Sequence, residues 1–375
     1  MKEILDEHIS YLADTRRLDR YRAAVSATVA VGDIVADVGC GTGILGLLCL
    51  QAGAGRVEAI DASGAIDIAR QSLASAGFAE RVHLIHGSSF QIALPERVDV
   101  VICDHVGYFG FDYGLVETLA DARRRFLKAS GRMIPDRLRL HVAAVQFAPC
   151  QQLVNAWAAP EIPVEFQWLR QYSVNSKYAV NLAPPDLLSA PAELGCIDLA
   201  TDNPEFFSWS ATLTASSDGI MHGVAGWFDC RLADAVWMTN SPVAADAITR
   251  PQAFLPLEHP VSVATGDHIA VTVMTRPGDQ LLAWDVQHSA SGQRFSHSTR
   301  LGDLLRLEQL QRTRPDYVPR LSDAALARRV VLGYFDGKRT VAQIRADVKR
   351  EHPHLLPTET ATDRLISTVL AGHAV

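Results

Sequence analysis

The sequence has few cysteines, and their spacing excludes the sites that cysteines usually build. It contains 6 cysteines, at positions 40, 49, 103, 150, 196 and 230, and no two of them form a CxxC pair. Zinc sites and disulfide frameworks both depend on regularly spaced cysteines. We therefore expect reduced cysteines and no metal site.

Long apolar runs and an excess of basic residues are absent as well. The longest clean apolar run, residues 44–50, is interrupted by Gly46, whereas a membrane-spanning helix needs about 20 apolar residues. The N-terminal MKEILDEHIS carries acids where a signal peptide has a basic region. The 35 basic and 42 acidic residues give a net charge of -7, which provides no basic surface for nucleic acid. These absences predict a cytoplasmic protein that binds neither membranes nor nucleic acid.

The length and the apolar content are sufficient for several cores. The chain has 375 residues, of which 48% are hydrophobic and 21% charged, and about 150 residues per domain predicts two or three domains. Between residues 33 and 132, short aliphatic runs alternate with helical stretches, which is typical of a doubly wound parallel sheet. From residue 137 to 300, segments such as SWSATLTA and HIAVTVMT alternate apolar and polar residues between turns. The predicted fold class is α/β, with a Rossmann-like core followed by an antiparallel β-barrel-like domain.

The pattern divides the chain into four segments. We predict N-terminal helices at 1–30, the Rossmann-like domain at 31–135 and the β-barrel-like domain at 136–302. Residues 151–200 lack a sustained period and predict an irregular or helical arm inserted into the β domain. The amphipathic stretches at 320–375 predict a small helical C-terminal module.

The stretch VADVGCGTGILGLLCLQAGAGRVEAID, residues 35–61, predicts a nucleoside site at a strand-to-helix turn. Gly39, Gly41 and Gly43 allow the backbone to approach a ligand closely at the start of a helix. Asp61 ends the second strand, where a carboxylate can accept hydrogen bonds from both hydroxyl groups of a ribose.

Asp37 decides which nucleoside the turn would bind. A carboxylate at the end of the first strand repels a pyrophosphate but attracts a cationic ligand. S-adenosyl-L-methionine (SAM) has a sulfonium, an ammonium and no phosphate, so it is the predicted cofactor. Gly41, Gly43 and Gly46 also spell the GxGxxG dinucleotide pattern, and a glycine turn without any ligand is the remaining alternative.

Residues 33–135 resemble a class I SAM-dependent methyltransferase, and more narrowly the protein arginine methyltransferase family. That family has an acid, an arginine and a tyrosine on a helix before the glycine loop, and Asp14, Arg17 and Tyr21 have the same spacing here. The loop ADVGCGTGIL also matches closely. The resemblance implies that Arg17 holds the carboxylate of the cofactor and that Tyr21 helps to close the site, so that segment 1–30 would cover the cofactor bound by segment 31–135.

The resemblance extends to the nucleoside end of the cofactor. Asp61 stands at the position of the ribose-binding acid, and the backbone N–H of Ser89 falls where the adenine is contacted, whereas Phe90 replaces an adenine-contacting acid. The predicted cofactor shell also includes Cys40, Ala62 and Asp104.

The segment that begins at Asp104, here called the acceptor loop, differs from the corresponding substrate loop of the family. Asp104 stands at the first of two paired glutamates, whereas the second position falls on Tyr113, with Asp112 one residue earlier as a displaced substitute. The Thr-His-Trp motif of the family would fall at residues 248–250 and is absent. Two carboxylates hold an acceptor guanidinium by bidentate pairs, and one aspartate cannot form that clamp.

Three residues are the predicted catalytic set. Asp104 would hold the acceptor, although an aspartate in a loop can also cap backbone N–H groups. His105 could take a proton from a neutral nucleophile near pH 7, or could simply pack as the family's aromatic residue does. Tyr113, with Tyr108, would line the acceptor pocket or contact the cofactor, or belong to the core.

Two further segments predict contacts with partners. The segment VVLGYFDGKRTVAQIRADV resembles the ending of PqqD-type winged-helix modules, which bind leader peptides, although three amphipathic helices could instead cover an apolar surface of the chain. The arm lies where the family inserts its dimerisation arm, which implies a homodimer. Its aromatic residues would otherwise form a large exposed patch: Trp157, Phe166, Trp168 and Tyr172.

The predicted function is SAM-dependent methylation of a nitrogen in a peptide or protein side chain. One alternative is a natural-product methyltransferase that acts on nitrogen or oxygen of a small molecule or peptide other than arginine. The other is a catalytically silent relative that binds the cofactor and works as a peptide scaffold.

Overall fold

The computed structural model describes residues 2–374, except for the side chains of residues 2–4 and 7. Met1 of the predicted N-terminal segment and Val375 of the predicted C-terminal module lie outside the described residues. The chain forms two compact units, Met1–Asp303 and Leu304–Val375.

Two helices begin the first unit: α1 (Lys2–Ala13) and α2 (Thr15–Thr28). Asp14 separates them and caps α2, because its carboxylate accepts a hydrogen bond from the backbone N–H of Arg17 at 3.1 Å. The buried face of α2 carries Arg17, Tyr21, Ala24 and Val25. This face therefore combines a charged residue with apolar ones, which is costly unless the charge finds a partner.

A five-stranded parallel sheet follows, with helices between its strands. Its elements are β1 (Ile34–Val38), α3 (Ile44–Gln51), β2 (Arg56–Asp61), α4 (Ala65–Ser75), β3 (Val82–His86), β4 (Val98–Ile102), α5 (Leu115–Arg125) and β5 (Leu127–Ile134). The strand order is β3-β2-β1-β4-β5, so the order reverses between β1 and β4. The aliphatic runs of the sequence form these strands because the sheet buries residues on both faces. The predicted Rossmann-like core is confirmed.

Two antiparallel sheets form the rest of the first unit. Their elements are β6 (Arg137–Val145), α6 (Ala148–Asn155), α7 (Arg170–Val174), β7 (Tyr178–Val180), β8 (Ala192–Asp198), β9 (Phe207–Thr214), β10 (Gly219–Ala233), β11 (Val236–Thr239), β12 (Gln252–Val263), β13 (His268–Arg276), β14 (Leu281–His288) and β15 (Arg294–Ser298). One sheet has the order β7-β12-β10-β6-β8, with β11 beside β10, and the other has the order β15-β14-β13-β9. The Trp284 indole N–H donates to the carbonyl of Pro256 at 2.9 Å, which ties β14 to β12 across the two sheets. The predicted antiparallel half is confirmed as well.

The arm predicted at 151–200 is helical only in its first half. It contains the end of α6 and the whole of α7, whereas β7 and β8 are strands of the six-stranded sheet. In the sequence of β8, AELGCID, the buried residues Leu194 and Ile197 are three positions apart, so the strand lacks the period of two by which a half-buried strand is predicted. The helical part carries exposed apolar side chains, at Leu153, Trp157, Val164, Phe166 and Trp168.

The second unit contains α8 (Leu307–Arg312), α9 (Asp323–Leu332), α10 (Val341–Glu351) and α11 (Glu359–His373). Side-chain oxygens of Ser322, Thr340 and Thr358 cap the last three helices. These three helices bury apolar residues against one another: Val331, Tyr334, Ile344, Val348, Ile366 and Val369. The unit therefore has a core of its own.

Neither a membrane span nor a metal centre is found in the part of the chain that the structure describes. None of its helices is long and apolar enough to cross a bilayer. Nor do its His, Cys, Asp and Glu side chains form a group of three or more that could hold a metal ion.

Candidate functional site

The candidate site lies at the carboxyl ends of β1 and β4, where the strand order of the parallel sheet reverses. Ligands of open α/β sheets bind in the crevice at such a point. The glycine loop follows β1 directly, and Asp104 comes two residues after the end of β4. The topology thus brings together two segments that the sequence separates by more than sixty residues.

The glycine loop has a backbone that side chains would disturb. Gly39, Gly41 and Gly43 have φ angles of 72°, 52° and 84°, in the left-handed region that favours glycine. A Cβ on Gly39 would overlap the imidazole of His105, and a Cβ on Gly41 would lie 2.5 Å from Cε1 of His8. The imidazole of His105, which follows β4, and the imidazole of His8, on α1, therefore both lie over the glycine loop.

Asp37 is a fully buried carboxylate with one unpartnered oxygen. Its Oδ2 accepts a hydrogen bond from the backbone N–H of Gly46 at 2.8 Å, whereas its Oδ1 has no hydrogen-bond partner among the described residues. Burial raises the pKa of Asp37 to about 7, and Asp61 adds to this effect, while the Gly46 N–H and Arg17 oppose it. A buried carboxylate oxygen without a partner fits the ammonium group of the expected cofactor.

Asp61 shapes the loop from the end of β2. Its Oδ2 accepts from the backbone N–H of Gly41 at 2.7 Å, and its Oδ1 accepts from both the N–H and the hydroxyl of Ser63 at 2.7 Å. The carboxylate thus stands between the glycine loop and the start of α4, where a ribose was expected. Ala62 beside it is exposed.

The other predicted cofactor positions differ in character. Cys40 is buried, and burial raises the pKa of its thiol, so this residue is a packing group rather than a nucleophile. Ser89 is half-buried in a short helical turn after β3, and Phe90 beside it is exposed. Both residues therefore lie beyond the carboxyl end of β3, which is paired with β2.

Asp104 is the centre of a buried charge cluster. Its Oδ2 accepts from Nε of Arg17 at 2.5 Å and lies 2.5 Å from Nη2 of the same side chain. Its Oδ1 accepts from the hydroxyl of Tyr21 at 2.8 Å, and Nη2 of Arg250 lies 3.3 Å from Oδ2. Burial alone would raise the pKa of Asp104, but Arg250, Arg17 and the hydrogen bond from Tyr21 together outweigh it, so the pKa lies below its ordinary value. The carboxylate is ionised and has both oxygens engaged.

The helix that carries Arg17 and Tyr21 is fixed by the β half of the unit. The Oδ2 of Asp14 accepts from the backbone N–H of Thr249 at 2.8 Å, and Nη1 of Arg16 donates to the carbonyl of Ala247 at 2.9 Å. Arg20 also pairs with Asp246. The segment 246–250 therefore holds α2 against the site.

Asp112 does not face the site as a second acid. Its Oδ2 accepts from the backbone N–H groups of Tyr108 and Phe109, at 2.9 and 2.6 Å, and its Oδ1 pairs with the ammonium of Lys177. This ammonium also lies 4.5 Å from the centre of the Tyr108 ring. The carboxylate of Asp112 therefore caps its own loop and pairs with Lys177 beside β7, so it is not available to hold an acceptor.

Tyr113, at the position of the missing glutamate, projects from the loop. Its side chain is 61% exposed, and its φ of 56° is unusual for a residue with a Cβ. The half-buried His105 instead points back over Gly39. The structure thus brings His105 to the cofactor side of the loop and leaves Tyr113 at its outer side.

Three residues of this arrangement were missed by the sequence analysis. His8 lies six residues before Asp14, and its contact with the glycine loop depends on the fold of α1. Lys177 lies in the arm, where no periodic pattern pointed to it. Arg250 falls at the last position of the absent Thr-His-Trp motif, and its contact with Asp104 depends on how the β half folds back onto α2.

Two family models match the first unit of the chain. Residues 35–131 match a family model described as a methyltransferase domain, and residues 136–289 match an arginine methyltransferase oligomerization subdomain.

Curated relatives give the same result. The chain is 29% identical over 231 residues to a probable protein arginine N-methyltransferase 6 of Arabidopsis thaliana, covering 59% of this chain and 53% of that relative. It is 27% identical over 286 residues to the protein arginine N-methyltransferase 6 of Xenopus laevis, covering 72% of this chain and 84% of the relative. The chain thus spans about half the length of the first relative and most of the second.

A solved structure shares the fold. It is a Trypanosoma brucei PRMT1 enzyme-prozyme heterotetrameric complex with AdoHcy, with a TM-score of 0.69 and 22% sequence identity. The match covers 78% of this chain and 96% of that one. The parallel core and the antiparallel half therefore occur together in a known architecture.

Proposed function

Since the chain belongs to the class I SAM-dependent methyltransferases and resembles the protein arginine methyltransferase family, we propose that it methylates a nitrogen in a peptide or protein side chain. The observation that carries this proposal is the buried Asp37 carboxylate, with its unpartnered oxygen, beside a glycine loop that leads to the Asp104 cluster. The curated relatives are named as arginine methyltransferases, which supports a protein acceptor.

Different residues of the site would bind the cofactor and orient the acceptor. When bound, SAM supplies a methyl carbon on a positively charged sulfur. Asp37 would hold the ammonium of the cofactor, Arg17 its carboxylate and Asp61 its ribose. Tyr21 closes the site from α2, where it is fully buried. Asp104 would orient the acceptor, because a fixed charge at the reacting group favours the transition state when it needs no reorganisation.

His105 is the proposed acceptor of the proton that a neutral nitrogen releases. Its ring lies over Gly39, on the cofactor side of the loop, and an imidazole is the side chain best suited to proton transfer near pH 7. A pH profile of the His105→Ala variant distinguishes this role from packing, because loss of a base changes the profile whereas loss of packing lowers mainly the stability.

A methylation assay tests the proposed function. The purified protein would be incubated with radiolabelled SAM and an extract of the host. Labelled protein or peptide supports the proposal. A labelled small molecule would replace it with a natural-product methyltransferase, and tight SAM binding without any labelled product would replace it with a silent scaffold.

The pKa of Asp37 predicts a pH dependence of stability and of cofactor binding. The folded pKa is about 7, above the ordinary value of 3.8, so the folded state holds this proton more firmly than the unfolded state does. The free energy of unfolding should therefore fall as the pH rises from about 4 to about 7, by at most about 1.4 kcal/mol per unit. Affinity for S-adenosylhomocysteine should rise over pH 5.5 to 7, because its ammonium pairs with the ionised carboxylate.

Calorimetric titration of wild type and Asp37→Asn at several pH values measures this effect. The wild type should gain up to about tenfold in affinity per pH unit below 7, and the variant should bind weakly with little pH dependence. Equal slopes in the two proteins would show that another group governs the binding.

We also propose that the chain forms a homodimer through its arm. Val164 and Phe166 lie two residues apart and are 73% and 53% exposed, and groups of exposed large apolar side chains mark interaction sites. The match to an oligomerization subdomain supports an oligomer.

Replacing Val164 and Phe166 together by Asp should convert the dimer to a monomer. Light scattering should give twice the chain mass of 40.8 kDa for the wild type and the single mass for the double variant. Val31→Asp is the control, because Val31 is 90% exposed and lies outside the arm. A double variant that keeps the mass of the wild type would place the interface elsewhere.

A further inference from the structure

Arg250 brings a second guanidinium to Asp104 from the β half of the unit. It lies just before β12, and its side chain is only 9% exposed. Its Nη2 is 3.3 Å from Oδ2 of Asp104, and its Nη1 donates to the carbonyl of Gly107 at 3.3 Å. It also lies 5.6 Å from the centre of the Tyr11 ring. The guanidinium is thus held by a carboxylate, a carbonyl and an aromatic face of the same site.

Two guanidinium groups face the single carboxylate of Asp104, so the cluster has an excess of one positive charge before any acceptor binds. When SAM is bound, its carboxylate would engage Arg17, and the single negative charge of Asp104 would then be matched by Arg250. Burial opposes the charge on Arg250, but Asp104 outweighs this effect, so the pKa of Arg250 lies above its ordinary value. Arg250 therefore stays cationic in the buried site.

The acceptor loop offers no further negative charge to a cationic acceptor. Asp112 is committed to Lys177 and to two backbone N–H groups, and Tyr113 occupies the position where a second acid would stand. An incoming guanidinium or ammonium would meet Arg250 beside a carboxylate that is already neutralised. Two positive charges that are a few ångströms apart repel each other, and the repulsion is stronger in a buried site than in water.

We propose that Arg250 takes the place of a cationic acceptor at Asp104, so that the site selects an uncharged nitrogen nucleophile, such as an imidazole or an amide, and excludes arginine and lysine side chains. This inference rests on the proposed function, since it specifies which side-chain nitrogen is methylated. An uncharged nitrogen can hydrogen-bond to Asp104 without adding a positive charge to the cluster.

Binding of short peptides tests this exclusion without requiring turnover. The probes are labelled peptides of the form Gly-Gly-Xaa-Gly-Gly, where Xaa is arginine or the uncharged norleucine. Fluorescence anisotropy would measure their binding to protein saturated with S-adenosylhomocysteine. The wild type should bind the arginine peptide no better than the norleucine peptide.

Arg250→Met removes the charge but keeps most of the length of the side chain. Asp104 then has an unmatched negative charge, and the preference for the arginine peptide over the norleucine peptide should rise by about tenfold or more, the scale of one charge-assisted hydrogen bond. Arg250→Lys keeps a cation at the site and should retain the exclusion. Thermal unfolding of each variant checks that it is folded, and the lysine variant keeps the test valid if the methionine variant is not.

Arg56→Met is the matched control. Arg56 pairs with Glu58 and Glu96 at the amino end of β2, at the opposite edge of the sheet, so its removal should leave the peptide preference unchanged. The inference is overturned if the wild type prefers the arginine peptide by tenfold, if Arg250→Met shows no gain in preference or no binding of either peptide, or if Arg250→Lys gains the preference. Failure of the proposed function would instead appear as absence of labelled peptide in the methylation assay, whatever the binding preference.

Discussion

Asp104→Asn should lower the rate of methyl transfer by about 100-fold or more, the scale seen when one preorganised electrostatic contact is removed. Asparagine keeps the shape of the side chain but removes the charge that orients the acceptor. The affinity for SAM should change little, because Asp37 and Asp61 are untouched and Arg17 becomes free to bind the carboxylate of the cofactor. Rates would be measured as the transfer of radiolabel from SAM to the acceptor found in the methylation assay, and affinities by calorimetry.

The same substitution should also destabilise the protein. It leaves Arg17 and Arg250 buried beside a neutral amide, and removing one partner of a buried ion pair costs about 3-5 kcal/mol. Thermal or denaturant unfolding would measure this loss, and rates must be compared below the melting temperature of the variant.

Asp104→Glu provides the control, since it keeps the charge on a longer side chain. It should retain most of the stability and part of the activity. If Asp104→Asn keeps full turnover while SAM binding is intact, the acceptor is held elsewhere and the assignment of Asp104 is wrong.

Gly39→Ala should weaken SAM binding by about 100-fold or more, since two costs add. A non-glycine residue in the left-handed region costs about 1-2 kcal/mol, and Gly39 has a φ of 72°. The new Cβ would also overlap Nε2 of His105, which would have to move into the cofactor cleft or displace the loop. Calorimetric titration of the variant with SAM measures the combined effect.

Two further variants separate these costs. Gly77→Ala has similar backbone strain, with a φ of 83°, but a Cβ there meets nothing within 4 Å. It should lose stability while keeping its affinity for SAM. Adding His105→Ala to Gly39→Ala should recover the steric part of the loss and leave the backbone part. Unchanged affinity in Gly39→Ala would mean that the cofactor does not depend on this loop geometry.

The cofactor side of the site was predictable because its determinants are local in sequence. Gly39, Gly41 and Asp37 lie within one strand-to-helix turn, and Asp61 ends the next strand, so the order of elements alone brings them to one edge of the sheet. The alternation of aliphatic runs and helical stretches gave the fold class for the same reason. The roles predicted for the individual residues remain predictions.

The surroundings of Asp104 were not predictable because they depend on long-range contacts. Arg250 is 146 residues away in sequence, and its contact depends on how the β half folds back onto α2. Asp112 was considered as a second acid because of its position in the loop, but its pairing with Lys177 required knowledge of where β7 lies. Short strands such as β7 and β8 were hidden in a segment without a clear period.

The hydrogen bonds and the ion pair between α2 and segment 246–250 fix the position of this N-terminal helix. The segment 246–250 is synthesised much later than α2. Synthesis proceeds from the N-terminus, and the parallel sheet is complete in sequence once β5 has been made. Asp14 and Arg16, however, find Thr249 and Ala247 only after most of the antiparallel half exists, and Asp104 gains Arg250 at the same stage. A nascent chain can therefore form the glycine loop long before Asp104 has both of its arginine partners, so the proposed selection of an acceptor would be acquired later in synthesis than the cofactor loop.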